Sequence, residues 1–147
     1  MKDKKEYMDL AEYAVDRAKK AGADAAEAFI SDSEKVEVFV SARAVESLNA
    51  SSEAGIGIRI LKDQKMIFGS SNELLKDSVN SLVTDLMKKV PFHTPDEFNT
   101  ISEKENGFLE GDWSKYTELI SYDPKITEVP VQEKIKRAVS LEIGGLD

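Results

Sequence analysis

Apolar residues fall along the chain with two different periods, and those periods set the expected elements. From 6 to 21, Tyr7, Leu10, Ala11, Ala14, Val15, Ala18 and Ala21 recur at offsets of three and four, on one side of a helix. Glu6 and Asp9 lead, and Arg17, Lys19 and Lys20 trail, in the order the helix dipole favours. Gly22 supplies a C′ residue to end it. The period then drops to two. Residues 25–32 and 35–41 read as two strands joined by a polar turn at Asp32-Ser33-Glu34, with Val36, Val38 and Val40 on one face of the second. Residues 44–51 predict a weaker, less apolar strand, suited to a sheet edge.

The clearest alternation lies within 55–71. Ile56, Ile58 and Ile60 share one strand face, and Gly55, Gly57 and Arg59 share the other. Lys62 to Lys65 reverse the chain, and Met66 to Phe68 return. The turn lacks Asn-Gly or Asp-Gly, so its type stays open. The unit is a hairpin with one apolar face and one face thinned by glycine. A strand glycine marks either close packing or a close approach of another backbone.

Residues 72–90 predict a second helix, with Leu75, Val79, Leu82, Val83, Leu86, Met87 and Val90 as a continuous stripe. Ser70 and Glu73 have capping-box spacing, and Asn72 is an equal N-cap candidate. Pro91 ends the helix. Residues 91–128 lack sustained periodicity, apart from a short helical turn around 114–120. They carry Phe92, Phe98, Phe108, Trp113, Tyr116 and Tyr122, which either staple the loop to this domain or dock on another domain or subunit. Residues 130–143 predict a third helix, with Val131, Ile135, Ala138, Val139 and Ile143 on one face and Gly144-Gly145 as its stop.

Helices outside a run of consecutive hairpins specify an α+β fold. The expectation is a two-layer sandwich, an antiparallel sheet of four to five strands with helices on one face. It forms a single domain over 1–147, with a core at 1–90, a long aromatic loop at 91–128 and a C-terminal helix over 129–147.

Composition narrows the function classes. The chain has 147 residues, 41% hydrophobic and 33% charged, which suits one globular domain with a sizeable core. Its net charge of −8, with bases scattered among acids, argues against nucleic acid as a partner. With no cysteine, disulfides and thiolate metal sites are excluded. The charged N-terminus leads into no apolar signal region, and no run reaches the length of a membrane span. A cytoplasmic protein without a membrane partner is expected.

Ser51-Ser52-Glu53-Ala54-Gly55-Ile56-Gly57-Ile58-Arg59-Ile60, followed by Phe68-Gly69-Ser70-Ser71, resembles the N-terminal domain of the TldD/PmbA family, also called modulator of DNA gyrase. Gly22-Ala23-Asp24-Ala25-Ala26-Glu27 after the first helix and Tyr122-Asp123-Pro124 before the last fit the same pattern, in the same order. The resemblance spans roughly Leu10 to Leu141. It implies a zinc metallopeptidase that works as a homo- or heterodimer of family subunits, with a His-Glu-x-x-x-His helix and a distant cysteine as its metal site. None of those ligands is present, since His93 is the sole histidine. A zinc site needs three or four such ligands. This chain is therefore expected to be the N-terminal domain alone, ending before the metal-binding residues, with no cofactor of its own.

Other chemistry finds no motif. There is no Gly-x-Ser-x-Gly elbow. Gly55-x-Gly57 lacks the third glycine of a dinucleotide fingerprint. Glu103, Glu105, Glu110 and Asp112 form no calcium loop. His93, in a proline-flanked loop, reads as a surface or half-buried residue.

What remains is recognition. The residues proposed to bind peptide are Gly55, Gly57, Arg59, Gly69 and Ser70, through strand addition at the thin face and edge of the hairpin. The competing reading packs helix residues against the glycines and pairs Arg59 with Glu46, Glu37 or Glu53. The function expected is a non-catalytic N-terminal domain that shapes the peptide cavity and subunit interface of a TldD/PmbA-like metallopeptidase. The alternatives are a stand-alone peptide- or protein-binding module and, last, a small enzyme using carboxylates.

Overall fold

Leu10, Ala14 and Ala18 are buried at four-residue spacing along α1 (Lys4–Lys20), as an amphipathic helix requires. The helix ends in a Schellman motif. Gly22, at φ +97°, donates its N–H to the Lys19 carbonyl, and Ala23 donates to that of Ala18. The computed structural model describes residues 3–102 and 123–146. After α1 come β1 (Ala25–Ser41), β2 (Ala44–Lys62), β3 (Lys65–Ser71) and α2 (Lys76–Lys89). Two short 3-10 turns, Val90–Phe92 and Pro124–Glu128, precede the final helix α3 (Val131–Leu146).

The described residues hold a three-stranded open sheet in the order β1-β2-β3, where four to five strands were expected. The predicted strands 25–32 and 35–41 are one strand of 17 residues, and 44–51 runs on into the isoleucine strand. Asp32-Ser33-Glu34 is a polar stretch within β1, and the Asp32 carboxylate accepts the Tyr7 hydroxyl. The chain reverses at Ala42-Arg43 (φ 52° and 64°) and at Asp63-Gln64 (φ 50° and 61°). Positive φ at both central residues is the type I′ geometry that matches strand twist, here without glycine.

The Asp63-Gln64 turn is held from outside. The Asp24 carboxylate accepts the Asp63 N–H at 2.7 Å, and Lys62 Nζ donates to the Gly22 carbonyl at 2.7 Å. The Gln64 carbonyl accepts from the Asp96 N–H and from Asn99 Nδ2, both at 2.9 Å. The turn sets the antiparallel register Lys62↔Lys65, Ile60↔Ile67, Arg59↔Phe68, Ile58↔Gly69 and Gly57↔Ser70.

The chain divides into two compact units. The first, Met1–Ser33 with Ser52–Glu103, carries the core. Ile56, Ile58 and Ile60 are fully buried, with Ile67, against Leu10, Ala14 and Ala18 of α1 and Val79, Val83 and Leu86 of α2. Each buried isoleucine contributes about 1.5–3 kcal/mol. The helix α2 starts at Lys76, four residues later than predicted, and its N-cap Leu75 makes no side-chain cap. The expected capping box does not form. Ser71 Oγ instead accepts the Glu73 N–H, and the Glu73 carboxylate accepts the Ser78 hydroxyl.

The second unit, Glu34–Ser51 with Lys104–Asp147, joins the far half of the β1–β2 hairpin to α3. The Arg43 N–H at the hairpin tip donates to Glu142 at 2.9 Å. Val131, Ile135, Ala138 and Val139 of the predicted face are half-buried, but Ile143 is exposed, and α3 runs through Gly144-Gly145 instead of stopping there. The predicted helical turn at 114–120, with Phe108, Trp113, Tyr116 and Tyr122, lies outside the described residues. Phe92 and Phe98 are almost fully exposed, so these two do not staple the loop. No helix among the described residues is long and apolar enough to cross a membrane.

Candidate functional site

The first unit has a sheet face that its helices leave uncovered. Along β2 the isoleucines face the core, so Gly57 and Arg59 face outward. Along β1, Ala26, Ala28 and Ile30 pack on the core, which turns Glu27 and Phe29 outward. On β3, Ile67 points inward, and Met66, Phe68 and Ser70 point outward. The edge position of β3 opens this face into a groove of about 860 Å³ that continues past Leu82 and Leu86 of α2 to Asp85, Lys89 and His93.

The five residues singled out in the sequence are distributed over both faces. Gly57 lies under an aromatic ring, because a Cβ there would stand 2.9 Å from Phe68 Cε2 and 3.1 Å from Cζ. The group beside it comes from the neighbouring strand, not from a helix as the competing reading had it. Helix residues do pack against Gly69, on the other face, where a Cβ would meet Leu86 at 2.9 Å and Leu82 at 3.1 Å. Gly55 sits at the end of the β2–β3 ladder, where a Cβ would come within 3.1 Å of the Ser71 carbonyl oxygen. Ser70 is exposed opposite Gly57. The groove thus collects Gly57, Arg59, Gly69 and Ser70, and Gly55 does not line it.

Arg59 pairs with Glu27 on β1, where Glu46, Glu37 and Glu53 were the expected partners. Its Nε donates to Glu27 Oε1 at 2.6 Å, and Nη2 reaches the same oxygen. Both side chains are about two-fifths exposed, so the pair contributes at most about 0.2–1 kcal/mol. It also neutralises both charges on the outward face.

The register adds a main-chain feature. In a two-residue hairpin the closing pair, Lys62↔Lys65, is hydrogen-bonded, and hydrogen-bonded and open pairs alternate beyond it. The N–H and C=O groups of Met66, Phe68 and Ser70 therefore point away from β2, along an edge that no strand among the described residues pairs with. Sequence reasoning missed Phe68, Phe29, Met66 and Glu27 as groove residues. The signal was the turn, since only a fixed register places Phe68 diagonal to Gly57. Among the described residues, no three histidine, cysteine or carboxylate side chains come together as metal ligands.

Comparison with known proteins agrees with the resemblance read from the sequence. Residues 26–89 match the family model described as PmbA/TldA metallopeptidase domain 1. The fold is similar to the crystal structure of a candidate modulator of DNA gyrase from Bacteroides thetaiotaomicron, with a TM-score of 0.76 and 21% identity over 88% of this chain and 28% of that one. It is also similar to TldE from Thermococcus kodakarensis, with a TM-score of 0.60 and 20% identity over 80% of this chain and 26% of that one. No curated protein matches significantly. The chain spans little more than a quarter of the length of either structure. Residues 26–89 are thus similar to the first domain of the PmbA/TldD family.

Proposed function

We propose that this chain is a non-catalytic first domain that receives peptide substrate in a PmbA/TldD-type metallopeptidase. The groove beside β3 would take an extended segment by strand addition, and the domain would contribute to the interface with a second family subunit. The observation that carries this reading is the edge position of β3 beside an open groove, with alternate main-chain groups directed outward. The partner is a peptide rather than nucleic acid, in keeping with a net charge of −8. The cytoplasm is the setting that fits the cysteine-free composition. The zinc implied by the family does not fit the residues present, which include one histidine and no cysteine. Hydrolysis is accordingly assigned to metal-binding residues outside this chain.

Single N-methyl groups on the ligand test strand addition. A Ser/Thr-rich peptide is titrated against the chain, with one amide methylated at a time. Each main-chain hydrogen bond contributes about 0.5–1.5 kcal/mol, so affinity should fall about two- to tenfold at alternate positions and hold between them. Equal losses at every position, or no binding at all, would refute the proposal.

A further inference from the structure

We infer that the groove discriminates among extended segments by one side chain, preferring an aromatic or large apolar one where it lies over the outward sheet face. This rests on the peptide reading above. In a strand added beside β3, side chains alternate between two sides. One set lies next to Met66 and Phe68, and the other lies next to α2.

The two sides differ in chemistry. On the outward side, Phe68 is 64% exposed with its ring laid across Gly57, and Phe29 is 72% exposed on the same groove. The charges there, Arg59 and Glu27, are bonded to each other and have no net charge to offer. A charged ligand side chain placed there gives up water without gaining a counter-ion. A phenyl ring gains apolar burial and edge-to-face contact with Phe68. Gly57 keeps this surface low, because any side chain there would lift the Phe68 ring off the sheet. On the α2 side, Asp85 and Lys89 carry opposite charges on the groove wall, so polar residues of either sign are accommodated. The preferred ligand is a segment in which an apolar side chain is flanked by polar ones, as in an unpaired, half-apolar strand.

The test uses the whole chain and three Ser/Thr-rich peptides that differ at one central position, Phe, Ser or Glu. Isothermal titration should find the Phe peptide about two- to tenfold tighter than the Ser peptide, with Glu weaker than Ser. Phe68→Ala should abolish the advantage of the Phe peptide over the Ser peptide. In the unmodified chain, NMR should place the peptide ring against the Phe68 ring and away from the Leu82 and Leu86 methyls, a readout that needs no variant. Equal binding of all three peptides overturns the selectivity and leaves the peptide site standing. Ring contacts to Leu82 and Leu86 overturn it as well. If no peptide binds, the site and its selectivity fall together.

Discussion

Replacing Gly69 and Gly57 by alanine, one at a time, separates the two faces of the central hairpin. They lie on neighbouring strands and on opposite faces, and each has a close neighbour where a Cβ would stand. At Gly69 that neighbour is Leu86 Cδ2 at 2.9 Å, with Leu82 Cδ1 at 3.1 Å. Leu86 is buried in the core, so relief means a strained rotamer or a displaced α2. Overpacking of this kind costs about 1–3 kcal/mol, and removing glycine's freedom in the unfolded chain offsets about 0.4–1 kcal/mol. From the middle of each range, the net loss is about 1–2 kcal/mol. At Gly57 the neighbour is the Phe68 ring, which is mostly exposed and can swing toward solvent. The expected change there is within about 0.5 kcal/mol. At this chain length, Gly69→Ala should melt about 2–8 °C below the parent and Gly57→Ala within about 2 °C of it, followed by far-ultraviolet circular dichroism. If Gly57→Ala melts lower than Gly69→Ala, the assignment of Gly69 to helix packing and of Gly57 to a yielding surface is wrong.

Two further predictions concern the Asp63-Gln64 turn. Gln64→Gly should raise stability by about 0.5–1 kcal/mol, because Gln64 holds φ 61° and glycine adopts that region without strain. A melting temperature at or below that of the parent would show that the glutamine side chain itself supports the turn. Asp24→Ala should cost about 0.5–1.5 kcal/mol by leaving the Asp63 N–H without its acceptor. Amide hydrogen exchange at Asp63 should then accelerate, and an unchanged rate would mean that water replaces the carboxylate at no cost.

The helices and the isoleucine strand could be read from the chain because each repeats a local rule. Leu10, Ala14 and Ala18 mark one helix face, Gly22 ends that helix, and Ile56, Ile58 and Ile60 mark one strand face. The strand count could not be read, because the turns that decide it draw their support from far along the chain. Ala42-Arg43 and Asp63-Gln64 adopt a geometry that favours glycine and asparagine. At Arg43 the N–H is taken by Glu142, and at Asp63-Gln64 the partners are Asp24, Asp96 and Asn99. Asp32-Ser33-Glu34 has the opposite character. Its residues suit a turn, but Asp32 is held in β1 by the Tyr7 hydroxyl.

The same turn explains why the groove was only half visible. Gly57 and Arg59 stand out within one strand, since alternation with isoleucine needs no knowledge of the partner strand. Phe68 becomes meaningful only when Lys62 is set opposite Lys65, because that register puts Phe68 opposite Arg59 and next to Gly57. A shift of one residue would send Phe68 to the core face and Ile67 outward. It would also exchange the edge groups, turning those of Lys65, Ile67 and Gly69 away from β2 in place of those of Met66, Phe68 and Ser70. The aromatic surface and the outward main-chain groups therefore share one cause. That cause is a two-residue turn kept in an unfavourable conformation by hydrogen bonds to Asp24 and from Asp96 and Asn99.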